Sequence, residues 1–304
     1  MAENPHVRLL NIEFNSSCNL RCRWCALDHS RPRVTMPPDT LELVMESLAN
    51  GALPGLRRID LHNGGETLLH PDLPVMLSVI RRRKARLPGN PVVGLLTNAM
   101  PLTSKKAEQI VRSRAVDQMR FSLDGGSRAA YESLRRGARW EVARENIEQF
   151  LRINEKAGRP MSTEAICIIP PEGLPPGGME PEFAALLSGL DKVSLRHPHN
   201  WDGSADLSVD DASYRSIAAQ RPGEVCFLLE RNLVVLPDGR VTVCCNDLNG
   251  RGVIGSVLDS GLESLAAHPR RLAMLEAFRA GRKATIPLCR DCTGFYAPPG
   301  REET

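Results

Sequence analysis

The sequence predicts an α/β protein, with a parallel sheet built from repeated β/α units and a small cysteine-rich region after it. Two observations carry this prediction. Short apolar, β-branched runs alternate with amphipathic stretches from residue 8 to about 200, and past that point the alternation stops and cysteines cluster. A chain of 304 residues is long enough for one large domain and a smaller appendage, and we expect units at 1–205 and 206–304.

The candidate strands are LLNIEF (9–14), RRIDLH (57–62), VVGLLT (92–97), QMRFSL (118–123), TEAICII (163–169) and KVSLRH (192–197). Amphipathic segments at 38–50, 72–86, 104–114, 139–157 and 181–189 lie between them and predict helices. Six such units fit a three-quarter barrel, and a flat doubly wound sheet fits them as well. In either fold, ligands gather at the C-terminal ends of the strands. The polar, turn-rich HPHNWDGSADLS (197–208) reads as a linker. VCFLLERNLVVLPDGRVTVCC (225–245) predicts a β-hairpin turned by Pro237-Asp238-Gly239, followed by one helix at 262–280 and the motif CRDC.

Composition narrows the class. Apolar residues at 42% and charged residues at 25% suit an ordinary globular enzyme, and a net charge of +3 is too small to make nucleic acid the main partner. MAENPHVRLL has no signal-peptide h-region and no segment has 18 uninterrupted apolar residues, so a cytoplasmic protein without a membrane partner is expected. Nine cysteines in a reducing compartment point to metal binding or thiol chemistry rather than disulfides.

Cys18, Cys22 and Cys25 form C-x3-C-x2-C just after the first strand. A loop of this spacing can place three thiolates on three corners of a cubane and leave the fourth iron open to a chelating ligand. Zinc would want a fourth protein ligand, and the nearest histidine, His29, is not in standard spacing. The spacing, with Trp24 ahead of the last cysteine, resembles the radical S-adenosylmethionine superfamily, and the resemblance covers about residues 8–200. HNGGETLLH (62–70) resembles its GGE motif, with Thr67 where a proline is usual. LLTNAM (95–100) resembles its TNG motif, with Ala99 for glycine, and FSLDGG (121–126) with YESLRRG (131–137) resembles its SxDG…R element.

The resemblance implies a partial (β/α)6 barrel that binds S-adenosylmethionine through Trp24, Gly64, Gly65, Glu66, Thr97, Asn98, Ser122, Asp124 and Arg135. Ser122 and Arg135 are the candidates for holding the cofactor carboxylate, ahead of Arg136. Glycines at 64 and 65 would let backbone approach a ligand closely, and a guanidinium suits a carboxylate.

Cys226, Cys244, Cys289 and Cys292 form a second set that could hold zinc or a fully ligated iron–sulfur cluster. The arrangement resembles the shortened auxiliary-cluster domain of the SPASM/twitch branch, in particular its aminoglycoside-tailoring members. That implies a second [4Fe–4S] cluster. Cys167, inside an apolar strand, reads as a packing residue. Cys245 follows a candidate ligand directly, and strand alternation would turn it to the opposite face, although either of the pair could be the ligand.

The resemblance implies that a reduced cluster cleaves S-adenosylmethionine and that the resulting radical takes hydrogen from an unactivated carbon of a small-molecule substrate. Hydrogen returned by Cys245 would make an epimerase of a sugar or aminoglycoside carbinol, the favoured expectation. Loss of a second electron to the auxiliary cluster would make a dehydrogenase, and modification of a ribosomal peptide is a third possibility. An electron donor such as flavodoxin or ferredoxin is implied. Asp202, Asp206 and Asp247 are the loop carboxylates available to a polycationic substrate.

Overall fold

The computed structural model describes residues 7–170, 173–207 and 225–293. Its centre is a parallel sheet of β1 (Leu9–Ile12), β3 (Arg58–Asp60), β4 (Val92–Thr97), β5 (Gln118–Ser122), β7 (Ser162–Ile168) and β8 (Lys192–Arg196), neighbours in that sequential order. A doubly wound sheet reverses its order at a switch point, and this one never does. Right-handed crossovers then place every helix on one face, as in a barrel. Accordingly α1 (Pro38–Ala49) packs on α2 (Leu73–Lys84), α2 on α3 (Ser104–Ser113), and α3 on α5 (Trp140–Lys156).

Alternation along the strands sorts the two faces. Ile59, Leu61, Val93, Leu95, Met119, Phe121 and Ala165 are fully buried on the helix side. Asn11, Glu13, Asp60, Arg120 and Glu164 occupy the alternate positions, so the opposite, concave face is polar. The helix α4 (Arg128–Leu134), capped by the Ser127 hydroxyl, was not anticipated. It leads into β6 (Arg135–Arg136), which pairs antiparallel with β2 (Arg21–Cys22).

The C-terminal part extends the same sheet. β9 (Asn232–Val235) lies parallel to β1, with Leu9 opposite Asn232 and Ile12 opposite Val235. β10 (Arg240–Thr242) and β11 (Val253–Ser256) continue antiparallel. The expected hairpin is present, and Gly239 at φ +84° supplies the left-handed turn residue.

Three expectations change. Phe227–Arg231 is a short helix rather than strand, and buried Arg271 caps its carbonyls, with Nη2 2.6 Å from Glu230 O and 3.2 Å from Leu229 O. The helix expected at 262–280 is two, Leu262–Ala266 and Pro269–Arg279. The residue before a proline is pushed out of helical geometry, and His268 sits at φ −58°, ψ 132°. The supposed linker is a junction: the Asn200 side chain donates to Asp291 O at 2.7 Å and accepts from Thr293 N at 2.7 Å, and the Trp201 indole donates to Trp24 O at 2.6 Å.

Candidate active site and cluster cradles

The loop after β1 carries Cys18, Cys22 and Cys25, all free thiols and all half-buried. Burial raises each thiol, Cys18 to about 12. A bare loop would therefore hold protonated sulfur, and iron would have to displace those protons on binding. Donors already face the sulfurs: Leu27 N lies 3.5 Å from Cys25 Sγ and Arg135 Nη1 lies 4.0 Å from Cys22 Sγ. Such contacts stabilise cluster thiolates, and the donor set fits a three-thiolate cradle.

The other landmarks assemble around this loop. Asn15 Nδ2 donates to Glu66 O at 2.9 Å, and Glu66 N donates to Ser17 O at 2.8 Å. Glu66 is buried and its carboxylate is spent on the protein, accepting from the Thr97 hydroxyl (2.8 Å), Asn98 N (2.8 Å) and Leu68 N (3.1 Å). The Asn98 side chain reaches Asn19 of the cysteine loop at 3.0 Å. Ala99 adopts φ +64°, the left-handed conformation that favours the glycine expected there.

Gly64 and Gly65 are explained differently from the expectation. Their amides donate to the Glu13 carboxylate at 3.1 and 2.8 Å, and a Cβ on Gly65 would stand 1.9 Å from Asn15 O. Glycine is required here because backbone packs on backbone. Glu13 is fully enclosed, and burial, opposed by the two amide bonds, raises its carboxyl to about 7. Sequence reasoning missed Glu13 and Asn15, although the polar residues of LLNIEFN fall at alternate positions, the pattern of a strand with one polar face.

Arg135 forms an ion pair with Asp124 at 2.8 Å, and Asp124 Oδ1 accepts from Ile168 N at 2.8 Å. The β2–β6 ladder sets Arg135 opposite Cys22, so Asp124 orients the guanidinium beside the cysteine loop. Arg136 points to solvent. Ser122 ends β5 half-buried. Trp24 packs with Leu134 and Leu207, under the Arg23 guanidinium 5.4 Å from its ring.

The second set of cysteines also comes together. Cys226, Cys244, Cys289 and Cys292 line one tight cavity with Leu229, Phe278 and Leu288. Four converging thiols with apolar walls fit an iron–sulfur cluster. Cys245 does not line that cavity. β10 ends at Thr242, and Asp247 N bonds Cys244 O at 3.1 Å, so Cys244–Asp247 is a turn and strand alternation does not apply to Cys245. Cys167 is buried in β7, as expected of a packing residue.

Two of the three loop carboxylates are consumed internally. Asp247 accepts from Thr242 (2.5 Å), Arg251 N (2.8 Å) and Gly252 N (2.7 Å), and buried Asp202 pairs with Arg251 at 2.9 Å. Asp206 is exposed.

This architecture matches known proteins. The family model of the radical SAM superfamily matches residues 12–172, and that of the SPASM iron–sulfur cluster-binding domain matches residues 226–293. The chain belongs to the radical SAM superfamily, whose members use a [4Fe–4S] cluster with S-adenosylmethionine, and its C-terminal region is an iron–sulfur cluster-binding domain. It is 32% identical over 145 residues to a GTP 3',8-cyclase of Chlorobaculum tepidum, covering 48% of this chain and 41% of the other. It is 31% identical over 136 residues to a PqqA peptide cyclase of Streptomyces rochei, covering 44% and 34%. The chain thus covers less than half the length of the curated relatives it matches.

Among solved structures, BtrN in complex with AdoMet and 2-DOIA superposes with a TM-score of 0.63 at 16% identity, covering 95% of this chain and 93% of BtrN. SuiB of Streptococcus suis bound to its precursor peptide SuiA gives 0.66 at 13% identity, covering 95% and 70%. These likenesses are of fold. No helix among the described residues is long and apolar enough to cross a membrane.

Proposed function

We propose that the chain is a radical S-adenosylmethionine epimerase that inverts a carbinol carbon of a hydroxylated small molecule, a sugar or aminocyclitol, in the cytoplasm. Cys18, Cys22 and Cys25 would hold the cofactor cluster, and Cys226, Cys244, Cys289 and Cys292 the second. When bound, the first cluster and S-adenosylmethionine supply a 5′-deoxyadenosyl radical able to take hydrogen from an unactivated carbon. Asp124 orients Arg135, the residue suited to the cofactor carboxylate, and Glu13 fixes the Gly64–Gly65 loop.

The observation that carries the epimerase reading is the split of the cysteine pair. Cys244 lines the four-thiol cavity and Cys245 does not; the Cys245 thiol instead hydrogen-bonds that of Cys244, which sets it beside the second cradle without being one of its four. The loop that follows it packs on the first site: Asn63 Nδ2 lies 3.4 Å from Asp247 O, and Asn249 Nδ2 lies 2.7 Å from Ala26 O. A thiol there can give its hydrogen atom to the substrate radical from the face opposite abstraction. The Cys245 thiyl radical left behind takes one electron and one proton to return to thiol, the electron coming from a low-potential donor such as flavodoxin or ferredoxin.

The second reading is a dehydrogenase, favoured by the four-thiol cavity itself: Cys226, Cys244, Cys289 and Cys292 would hold a cluster able to accept the second electron of an alcohol oxidation. Turnover in D2O separates the two. An epimer carrying one deuterium at the inverted carbon is expected, with the deuterium lost in Cys245→Ala while S-adenosylmethionine cleavage continues. A product two mass units lighter than substrate, or normal epimer from Cys245→Ala, would overturn the epimerase.

A further inference from the structure

The concave face of the sheet carries a charged network that the radical chemistry does not use. Arg58 crosses it: Nε lies 2.7 Å from Asp60 Oδ1, and the guanidinium donates to Gln118 Oε1 at 2.5 Å. A Cβ at Gly94 would stand 2.4 Å from that guanidinium, so the glycine is the gap through which the network passes. Arg120 Nη2 lies 2.6 Å from the same Asp60 oxygen and 3.4 Å from His62 Nδ1.

One carboxylate therefore faces two guanidiniums. The next carboxylate on this face, Glu164, is taken by Ser194 at 2.5 Å and Lys192 at 3.5 Å. Glu13 is compensated by the Gly64 and Gly65 amides, and Asp124 by Arg135. The Arg120 side chain is 9% exposed, and its buried Nε has no hydrogen-bond partner.

Register places a further cation on the same face. Ile168 is opposite Arg196 on β8, and Arg196 is exposed there. β3 and β8 are four steps apart in the strand order, yet Arg196 depresses the pKa of His62, as it does that of His199. Through the pairs Arg120–Glu164, Glu164–Lys192 and Ile168–Arg196, register turns Arg120 and Arg196 to the same concave face. His62 is driven down to about 3, by burial first and Arg120 next, so it is a neutral ring beside them. The strand cations on this face, Arg58, Arg120, Lys192 and Arg196, outnumber its strand carboxylates, Glu13, Asp60 and Glu164, a balance that favours an anion.

We propose that this face binds the substrate through an anionic group, a phosphate or a carboxylate, drawn to Arg120 and Arg196 with the His62 ring beside Arg120 as a hydrogen-bonding partner. The inference rests on the reading above of a radical enzyme acting on a hydroxylated small molecule, and it narrows that substrate to an acidic one.

Equilibrium binding to the anaerobically reconstituted full-length protein, with S-adenosylmethionine present, tests this. The probes are myo-inositol 1-phosphate, glucuronate, neutral myo-inositol and cationic 2-deoxystreptamine. At least one of the two anions should bind about tenfold or more tighter than neutral inositol, as one charge-assisted contact allows, and the tighter of the two identifies the group. Arg196→Gln and Arg196→Glu should abolish that preference, and Arg196→Lys should keep part of it. Equal or tighter binding of the neutral or cationic probe, no anion binding in the millimolar range, or a preference that survives Arg196→Glu would each overturn the proposal. Release of 5′-deoxyadenosine by the wild-type protein under dithionite fails only if the radical reading fails, so the two failures are distinguishable.

Discussion

Substituting alanine at each glycine of the Gly64–Gly65 pair should have very different effects. At Gly65 the new Cβ would lie 1.9 Å from Asn15 O and 2.9 Å from Ser17 O, both backbone atoms. The Asn15–Ser17 backbone must retreat by about 1 Å or more before the contact becomes tolerable. That movement breaks the Glu66 N to Ser17 O bond (2.8 Å) and the Asn15 Nδ2 to Glu66 O bond (2.9 Å). Overpacking and two buried hydrogen bonds together cost roughly 3 to 5 kcal/mol. For a chain of this size that lowers the thermal midpoint by about 5 to 8 °C. Cys18 follows Ser17 directly, so the first cradle should fail to assemble while the second survives. Iron and sulfide assays after anaerobic reconstitution should find about half the wild-type content. At Gly64 the nearest atoms are Leu27 Cδ1 at 3.0 Å and Glu13 Oε1 at 3.2 Å, the ends of side chains that can yield. Gly64→Ala should cost about 1 kcal/mol and keep its iron. The reasoning is refuted if Gly65→Ala keeps full iron and melts near the wild-type temperature, or if Gly64→Ala is equally damaging.

Glu13, with its folded pKa near 7 against an ordinary 4.5, makes folding take up a proton between those values. Its contribution to stability is therefore full below pH 4.5 and lost as pH rises through 7. Glu13→Gln, which still accepts from both amides, should flatten that slope in thermal melts at pH 5.5 and 8, and an unchanged slope would assign it to another group. Arg271→Met keeps the volume but strands the carbonyls of Ala266, Glu230 and Leu229, now at 2.7, 2.6 and 3.2 Å. A loss of about 3 kcal/mol or more is expected, read as chelator-driven loss of iron from the second cluster with the first retained. The Asn249 side chain joins Ala26 O at 2.7 Å and Asp28 N at 2.9 Å. Asn249→Ala should weaken S-adenosylmethionine binding about 5- to 30-fold by equilibrium dialysis, the worth of two hydrogen bonds, at unchanged iron content.

The parallel strands, and all the helices between them except α4, were legible because nearly every one buries a face, and burial leaves a period of two or of 3.6 in the residues themselves; β8, exposed along most of its length, was legible from its β-branched and apolar alternation alone. The first cysteine loop was legible because its spacing is local. Contacts between distant residues leave no such mark, so the docking of β9 on β1, some 220 residues apart, was hidden. The break before Pro269 was present as a His-Pro step, outweighed by the apolar pattern on either side. FLLER has as much helix as strand propensity, and it was the buried Arg271, some 40 residues away, that satisfied the end of that helix. The opposite-face reading of Cys245 rested on β10 running through it; the strand ends three residues earlier and a turn carries the pair.

The two cradles are fixed by one pair of strands rather than by a flexible join. β9 covers the edge of β1 that an open barrel would otherwise expose, and Glu13 N bonds Val235 O at 2.9 Å just past the paired residues. From that point β1 runs into Cys18, and β9 turns through the hairpin to Cys244. The far side is closed by Trp201 on Trp24 and by Asn200 on Asp291 and Thr293, which ties the barrel exit to both cysteine loops. Asn249, five residues past Cys244, reaches back to Ala26 and Asp28. The two cradles are thus tied to each other from three sides. A thiol or cluster that must intercept a substrate radical before it is quenched needs such ties, because hydrogen transfer tolerates errors of well under 1 Å in the approach of the reacting atoms.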